Sequence, residues 1–289
     1  MYVTKTQHIV FASYNNKKIF DLFTDRSFMM TLNERIIDFL KNEKIEFAKA
    51  IKYSQCIERK GYLLKFSPKC AIIFLIPYNC KDSGDRNISR YAVPRDYHLF
   101  VKGLFDRLQS EFSDCGYNIA CFADHSPIDE RDAAAMSGLG AIGDNGLIIN
   151  EKYGSYVFIG EIVTDCDCDD IDTVRSECMH CGLCKKSCPI TNGCLSAITQ
   201  KKGELSDDEI CMMVDNRTIW GCDICQDVCP LNRDVAESPI DFFINDRISW
   251  LTKDIIDSMS DDEFSSRAYS WRGRDVILRN IRSTEGQMK

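Results

Sequence analysis

Apolar residues along this 289-residue chain fall into short blocks that switch between helical and strand-like spacing. Ile36, Ile37, Phe39 and Leu40 recur at helical intervals and predict a helix over residues 32–40. Residues 70–77 read Cys-Ala-Ile-Ile-Phe-Leu-Ile-Pro, a short continuous apolar run closed by proline, which predicts a fully buried strand. Phe100, Leu104, Leu108 and Phe112 step by four, so residues 96–112 should be a helix with Asp96 near its start. Residues 117–123 read as the next strand, ending at Asp124. A helix over 130–137 stops at Gly138, and a third strand follows over 156–163. Strand, helix, strand, helix, strand predicts an α/β domain over residues 1–164. Residues 1–30 alternate polar and aromatic positions and give no motif. Amphipathic pieces at 250–259 and 261–268, then a basic end, predict a helical tail over 236–289 that packs on the core.

Bulk composition narrows the class. A net charge of −8 argues against a protein that coats nucleic acid, while leaving room for a local basic face. The chain has no apolar run of the roughly 18 residues that a membrane helix needs, and no apolar signal segment starts it. Internal repeats and low-complexity segments are absent, apart from two cysteine blocks.

Those blocks carry the chemistry, and they define a domain over residues 165–235. The first is Cys178-x2-Cys181-x2-Cys184-x3-Cys188-Pro189, and the second is Cys222-x2-Cys225-x3-Cys229-Pro230, with Cys194 between them. A cubane cluster needs four thiolates, and a tight loop presents three at such intervals. The fourth cysteine of a C-x2-C-x2-C-x3-C-P run reaches across to the other cluster. The spacing therefore predicts two [4Fe–4S] clusters. Cys178, Cys181, Cys184 and Cys229 hold one. Cys188, Cys222, Cys225 and either Cys194 or Cys211 hold the other. Zinc would favour two separate tetrads and more histidine, and only His180 is near. Disulfides suit small secreted domains. The other cysteines, including Cys56, Cys70, Cys166 and Cys168, read as ordinary thiols in a reducing cytosol. The acidic run 165–170 reads as an exposed linker.

Two further features stand out. Glycines at 138, 140, 143 and 146, between a helix and a strand, let the backbone approach something closely. The spacing is not that of a dinucleotide-binding loop. Asp124 ends a strand just before the Pro127 turn. Such strand ends carry chemistry in α/β domains, although an isolated aspartate there is more often a turn or cap residue.

These segments, taken in order, resemble the epoxyqueuosine reductase family. The likeness covers about residues 70–282. It runs through Ser89-Arg-Tyr-Ala, Asp96-Tyr-His98, Asp124-His-Ser-Pro-Ile-Asp-Glu-Arg131 and Gly138-Leu-Gly-Ala-Ile-Gly-Asp-Asn145. Tyr153-Gly-Ser155, Glu161-Ile-Val-Thr164, Cys194-Leu-Ser-Ala-Ile-Thr-Gln-Lys-Lys-Gly203 and the segment from Gly221 to Asn232 continue it. Ser270-Trp-Arg-Gly-Arg274 and Arg279-Asn280 close it.

The resemblance implies a cobalamin-binding α/β (α+β) domain followed by a ferredoxin-like double [4Fe–4S] domain. It makes Cys194 the remaining ligand and Cys211 the spare. It implies cobalamin bound without a histidine below the cobalt; the motif D-x-H-x-x-G is absent, since Asp96-x-His98 lacks its glycine. By their match, Ser89, Ile148 and Ile159 would lie near the corrin. The implied activity is reduction of epoxyqueuosine to queuosine at the wobble position of a tRNA. Electrons come from a flavodoxin- or ferredoxin-type donor, and Asp124 donates a proton. A carboxylic acid does so near neutral pH where an apolar setting raises its pKa.

The chain departs from the family pattern in three places. Asp144 stands where the glycine-rich loop usually carries Lys. Asp124-His125-Ser126 replaces Asp-Thr-Gly. The chain ends soon after Arg279-Asn280, as expected of a short form without C-terminal helical repeats. Lys202, with Lys201 and the basic residues Arg272, Arg274, Arg279 and Arg282, could contact tRNA phosphates or be solvated surface charge. The competing readings are a related corrinoid and iron–sulfur reductase for another small molecule, and an electron-transfer protein without corrinoid. The expected setting is cytoplasmic, as a monomer and off the membrane.

Overall fold

The computed structural model describes residues 30–81, 85–169 and 176–287. The motif-free stretch before Met30 lies outside the described residues.

α1 (Leu32–Asn42) starts at a capping box: the Thr31 hydroxyl accepts the Glu34 amide, and the Glu34 carboxylate accepts the Thr31 amide. α2 (Tyr97–Glu111) starts at Asp96, whose carboxylate accepts the His98 amide at 3.0 Å. Four strands form one sheet in the order β1, β2, β6, β3. They are β1 (Ala48–Lys52), β2 (Cys70–Pro77), β3 (Ile119–Phe122) and β6 (Val157–Thr164). β2 is central and buried throughout, as its unbroken apolar run requires.

All three pairings are antiparallel. The strand–helix alternation of the sequence thus yields a mixed α/β fold without parallel crossovers. β1 leaves little mark in the sequence because Ala-Lys-Ala-Ile-Lys offers a weak apolar signal, as suits an edge strand carrying lysines.

Side chains alternate across β6, and that alternation sorts the core. Phe158 and Ile162 join Ile72, Phe74 and Ile76 of β2 beneath α1 and α2. Val157, Ile159 and Val163 join Ala71, Ile73 and Leu75 beneath α3 (Glu130–Met136), where Ala133, Ala134 and Ala135 pack against the sheet. Gly160 lets the Phe74 ring cross β6, because a Cβ there would collide with the ring.

After α3 the glycine-rich loop forms a small hairpin of β4 (Ala141–Ile142) and β5 (Ile148–Ile149). Gly140 is needed for its closeness: a Cβ there would lie 2.6 Å from the Ile149 carbonyl. The cysteine region holds α4 (Leu183–Ser187), α5 (Leu195–Thr199), α6 (Asp207–Asp215) and α7 (Ile224–Asp227). The tail holds α8 (Asp241–Ile244), α9 (Lys253–Ser258), α10 (Asp261–Ser265) and α11 (Arg274–Thr284).

A separate apolar cluster draws Ile88 and Val93, ahead of α2, together with Leu195, Trp220, Phe264, Tyr269 and Ile277. Asn280, fully buried, donates to the carbonyls of Thr199 at 2.7 Å and Ile219 at 2.8 Å, tying α11 to the cysteine region. No helix among the described residues is long and apolar enough to cross a membrane.

Candidate active site and iron–sulfur centres

Asp124 lies two residues beyond β3 with φ of 61°, in the left-handed region that Asp adopts more readily than most residues. That turn points its carboxylate at the first turn of α2. Oδ2 stands 3.4 Å from Nε2 of His98, and the Tyr97 phenol donates to the same carboxylate. Nδ1 of His98 is 2.8 Å from Oδ1 of Asp96, the cap of α2. One aspartate therefore caps the helix and fixes the imidazole that meets the other.

These groups open into a cavity of about 560 Å3. Its apolar wall is Tyr91, Tyr97, Phe158, Ala268 and Trp271. Tyr97 stacks on Phe158 with ring centroids 3.9 Å apart. Trp271, 57% exposed, stands at the mouth with the Arg272 guanidinium 3.7 Å from its ring centroid.

Electrostatics correct one expectation. Asp124 is not raised by burial. The hydrogen bond from His98, helped by Tyr97, outweighs desolvation and holds the carboxyl below its usual range. The partner moves the other way: bonds to Asp124 and then Asp96 push His98 up to about 10. At neutral pH the pair is carboxylate and imidazolium, with the proton on His98. The proton-rich carboxyls lie behind it. Burial, then the Asp124 charge, pushes Glu130 up to about 7. Burial, then Glu130, pushes Glu161 up to about 9.

The cysteines converge. Cys178, Cys181, Cys184 and Cys229 line one small apolar pocket together with Gly143, Asp144 and Asn145 of the glycine-rich loop. Cys222 and Cys225 each lie in the electrostatic field of Cys194, which is the N-cap residue of α5. Cys211 is exposed on α6, and Cys188 ends α4.

Asp144 faces the first cysteine loop and does not line the large cavity. Its Oδ1 is 2.9 Å from Nδ1 of His180, and ligand atoms of Asp144, Cys178 and His180 lie within 4.8 Å of one another. The Asn145 side chain bonds Cys225, so the glycine-rich loop touches both cysteine groups.

Other sequence candidates fall elsewhere. The Ser89 hydroxyl donates to Asp223, a buried residue between Cys222 and Cys225, and Ser89 lines a smaller cavity with Cys222 and Asp223. Ile148 and Ile159 pack in the core beneath α3, and Phe158 is the β6 residue that reaches the large cavity. Lys202 is exposed, whereas Lys201 pairs with Glu209 at 2.9 Å. Arg279 donates to the carbonyls of Lys201 and Gly203, and Arg274 to those of Ile256, Met259 and Ser260. Those two arginines are structural. Glu161 and Glu130 stand inside recognisable segments, but burial is invisible at that level. Trp271 stands in the Ser270–Arg274 segment that carries the resemblance, but its place at the cavity is not visible in the sequence.

No protein-family model matches the chain. An epoxyqueuosine reductase of Gloeobacter violaceus is 32% identical over 228 residues, covering 70% of this chain and 70% of that protein. This chain belongs to the epoxyqueuosine reductase family. The epoxyqueuosine reductase of Aliivibrio fischeri is 35% identical over 199 residues, 64% of this chain and 53% of that protein. The chain thus spans about half the length of some curated relatives it matches. Epoxyqueuosine reductase structures share its fold. One, determined with an epoxyqueuosine-modified tRNA-Tyr stem loop, aligns with a TM-score of 0.75 at 23% identity, covering 88% of this chain and 80% of that one. That of Streptococcus thermophilus aligns with a TM-score of 0.73 at 22% identity, covering 88% and 81%.

Proposed function

We propose that this protein reduces epoxyqueuosine to queuosine in tRNA. The carrying observation is the Asp124, His98 and Tyr97 group at the wall of the 560 Å3 cavity, in a chain of the epoxyqueuosine reductase family. The overall change is two electrons and two protons in, both epoxide C–O bonds broken, a C=C bond formed and water released.

The cysteine set fits two [4Fe–4S] clusters. Cys178, Cys181, Cys184 and Cys229 would hold one; Cys188, Cys194, Cys222 and Cys225 would hold the other. The aromatic wall of the cavity supports a bound corrinoid, because it would pack against a flat ring system. His98 has both ring nitrogens engaged by carboxylates, so its part here is to orient Asp124 at the cavity wall. Bound there, the corrinoid would supply the electrons that break the C–O bonds, drawn through the clusters from a flavodoxin- or ferredoxin-type donor.

The protein's own work is positioning and proton handling. Tyr97 and His98 aim Asp124 into the cavity. The proton held between Asp124 Oδ2 and His98 Nε2 passes to the departing oxygen. Asp96 keeps the imidazole from turning away. Exposed Lys202 would supply one tRNA phosphate contact in this reading. In this reading residues 1–164 carry the corrinoid, 165–235 the clusters, and 236–289 close the cavity with Trp271. Asp144 is engaged with His180 away from the cavity, which supports this substrate over another small molecule.

The test is single-turnover reduction of epoxyqueuosine tRNA by anaerobically reconstituted protein with cobalamin and a strong reductant. Conversion that needs cobalamin and collapses in Asp124→Asn is expected. No conversion by protein carrying both clusters and corrinoid would overturn the assignment.

A further inference from the structure

Trp271 lines the large cavity and yet keeps 57% of its surface in solvent. The other aromatic residues of that wall, Tyr91, Tyr97 and Phe158, are buried or half-buried. Leaving an indole bare in water forgoes the gain of burying it, and this one is held in place rather than folded away. It sits in a single 3-10 turn, Ser270–Arg272, between α10 and α11. The Ser270 amide donates to the Arg267 carbonyl at 3.0 Å, and the Gly273 amide to the Ser270 carbonyl at 2.8 Å. Beneath the turn, Tyr269 is fully buried against Trp220, and buried Arg267 donates to the Asp246 carbonyl at 2.8 Å. One face of the indole is covered by the Arg272 guanidinium, 3.7 Å from the ring centroid. Among the described residues the Arg272 side chain makes no hydrogen bond or ion pair, and its Nε is buried without a partner. Arg274, by contrast, engages three backbone carbonyls. Gln200 lines the same cavity two residues before exposed Lys202. The carboxylates of the cavity, Asp96 and Asp124, are both turned to His98.

We propose that Trp271, backed by Arg272, is a stacking platform for the RNA base next to the modified nucleotide. The idea rests on the tRNA reduction assigned above. A nucleotide that enters a cavity leaves the stack of its loop and uncovers a face of its neighbour. A planar aromatic at the mouth replaces the lost stacking, and does so for any base, because every base has a π face. The guanidinium behind the indole braces the ring and sets an unpaired positive charge beside the RNA backbone. The turn fixes the ring before RNA arrives, so little freedom is lost on binding. A ring set this far into solvent reaches past the cavity to what lies outside it, which the deeper aromatic wall does not.

The test uses the full chain with clusters and corrinoid loaded, and anticodon stem loops that carry epoxyqueuosine. In each loop 2-aminopurine replaces one or the other base flanking the modified nucleotide, because its fluorescence is quenched while it is stacked. At one of the two positions the probe should stay quenched when bound to wild type and brighten when bound to Trp271→Ala. Trp271→Ala should also bind the stem loop about tenfold less tightly, within the range for losing one aromatic–base stack. Trp271→Phe should restore most of both effects. Arg272→Lys keeps the charge but loses the plane, so it should bind more weakly than wild type with the same salt dependence. Trp271 is exposed, so its truncation leaves the apolar cluster around Tyr269 intact. Equal fluorescence at both positions, or equal affinity, in wild type and Trp271→Ala would overturn the platform while leaving the reduction intact. Loss of bound corrinoid from Trp271→Ala at unchanged RNA affinity would overturn it too, by making the ring a corrinoid contact. A fully loaded wild type that binds no stem loop would sink the platform together with the assigned substrate.

Discussion

The Nε2 of His98 stands 3.4 Å from Oδ2 of Asp124, and Nδ1 of the same ring is held 2.8 Å from Asp96. The imidazole is thus charged and oriented by two carboxylates at once. Its folded pKa of about 10 lies above its ordinary 6.5. The stability it contributes is therefore fully present below about 6.5 and is lost as pH rises through about 10. Denaturant titrations of wild type and His98→Asn should differ at pH 6 and converge above pH 10. The gap should be on the order of 1 kcal/mol, because His98 is half exposed and solvent screens the pair.

Glu161 is shifted in the same direction as His98, the reverse of the usual case for an acid. Its pKa of about 9 means that the folded state keeps a proton the unfolded chain gives up above 4.5. Stability should fall as pH rises from about 4.5 to about 9. Glu161→Gln removes that slope, and chemical denaturation at pH 8 should find the variant more stable by a few kcal/mol, since each pH step of one across that range costs roughly 1.4 kcal/mol.

Cys194 and Cys211 are separable by experiment. Cys194→Ser should lose one cluster and about half of the iron, since Cys194 lies with Cys222 and Cys225. Cys211→Ser should keep both clusters, because Cys194 is the cysteine whose field reaches both Cys222 and Cys225. Iron analysis and electron paramagnetic resonance of the reduced proteins read the difference.

Asp144 and His180 bridge the glycine-rich loop to the first cysteine loop at 2.9 Å. Asp144→Asn should loosen that loop. The contact is exposed and solvent screens it, so chelator-driven loss of the cluster should speed up by no more than about fivefold. Asp144→Lys, which sets a cation beside His180, should be worse than Asp144→Asn. Bleaching of the cluster absorbance under a chelator measures both.

Arg279 and Lys202 should part company in tRNA binding. Arg279→Ala removes charged hydrogen bonds to backbone carbonyls and should destabilise the fold by about 1.5–3 kcal/mol. Lys202→Ala should leave stability alone and reduce the salt dependence of tRNA affinity by about one phosphate contact. Melting curves and salt-dependent binding assays separate the two.

Much of this was legible in the chain. The unbroken apolar run at 70–77 marks the central strand because only a strand buried on both faces avoids polar positions. Four-residue steps mark α2, and Asp96 marks its cap, because helix geometry repeats locally. Cysteine spacing names a tetrad that does meet in one pocket, since three of its members share a tight loop. The ionisation of the site was not legible. An apolar setting would raise Asp124, and His98 lowers it instead. That contact joins residues 26 positions apart and exists only because β3 ends beside the first turn of α2.

Local sequence determined the central strand, the longer helices, the cysteine spacing and the membership of a family, because each depends on spacing along the chain. Only the tertiary structure decided that the sheet is antiparallel, that Asp144 meets His180, that Phe158 and not Ile159 reaches the cavity, and that Glu161 lies without a full partner in an apolar layer. The reason is physical. Strand pairing, burial and the electric field at a carboxyl are set by groups brought close in space, and no one-dimensional pattern carries those distances.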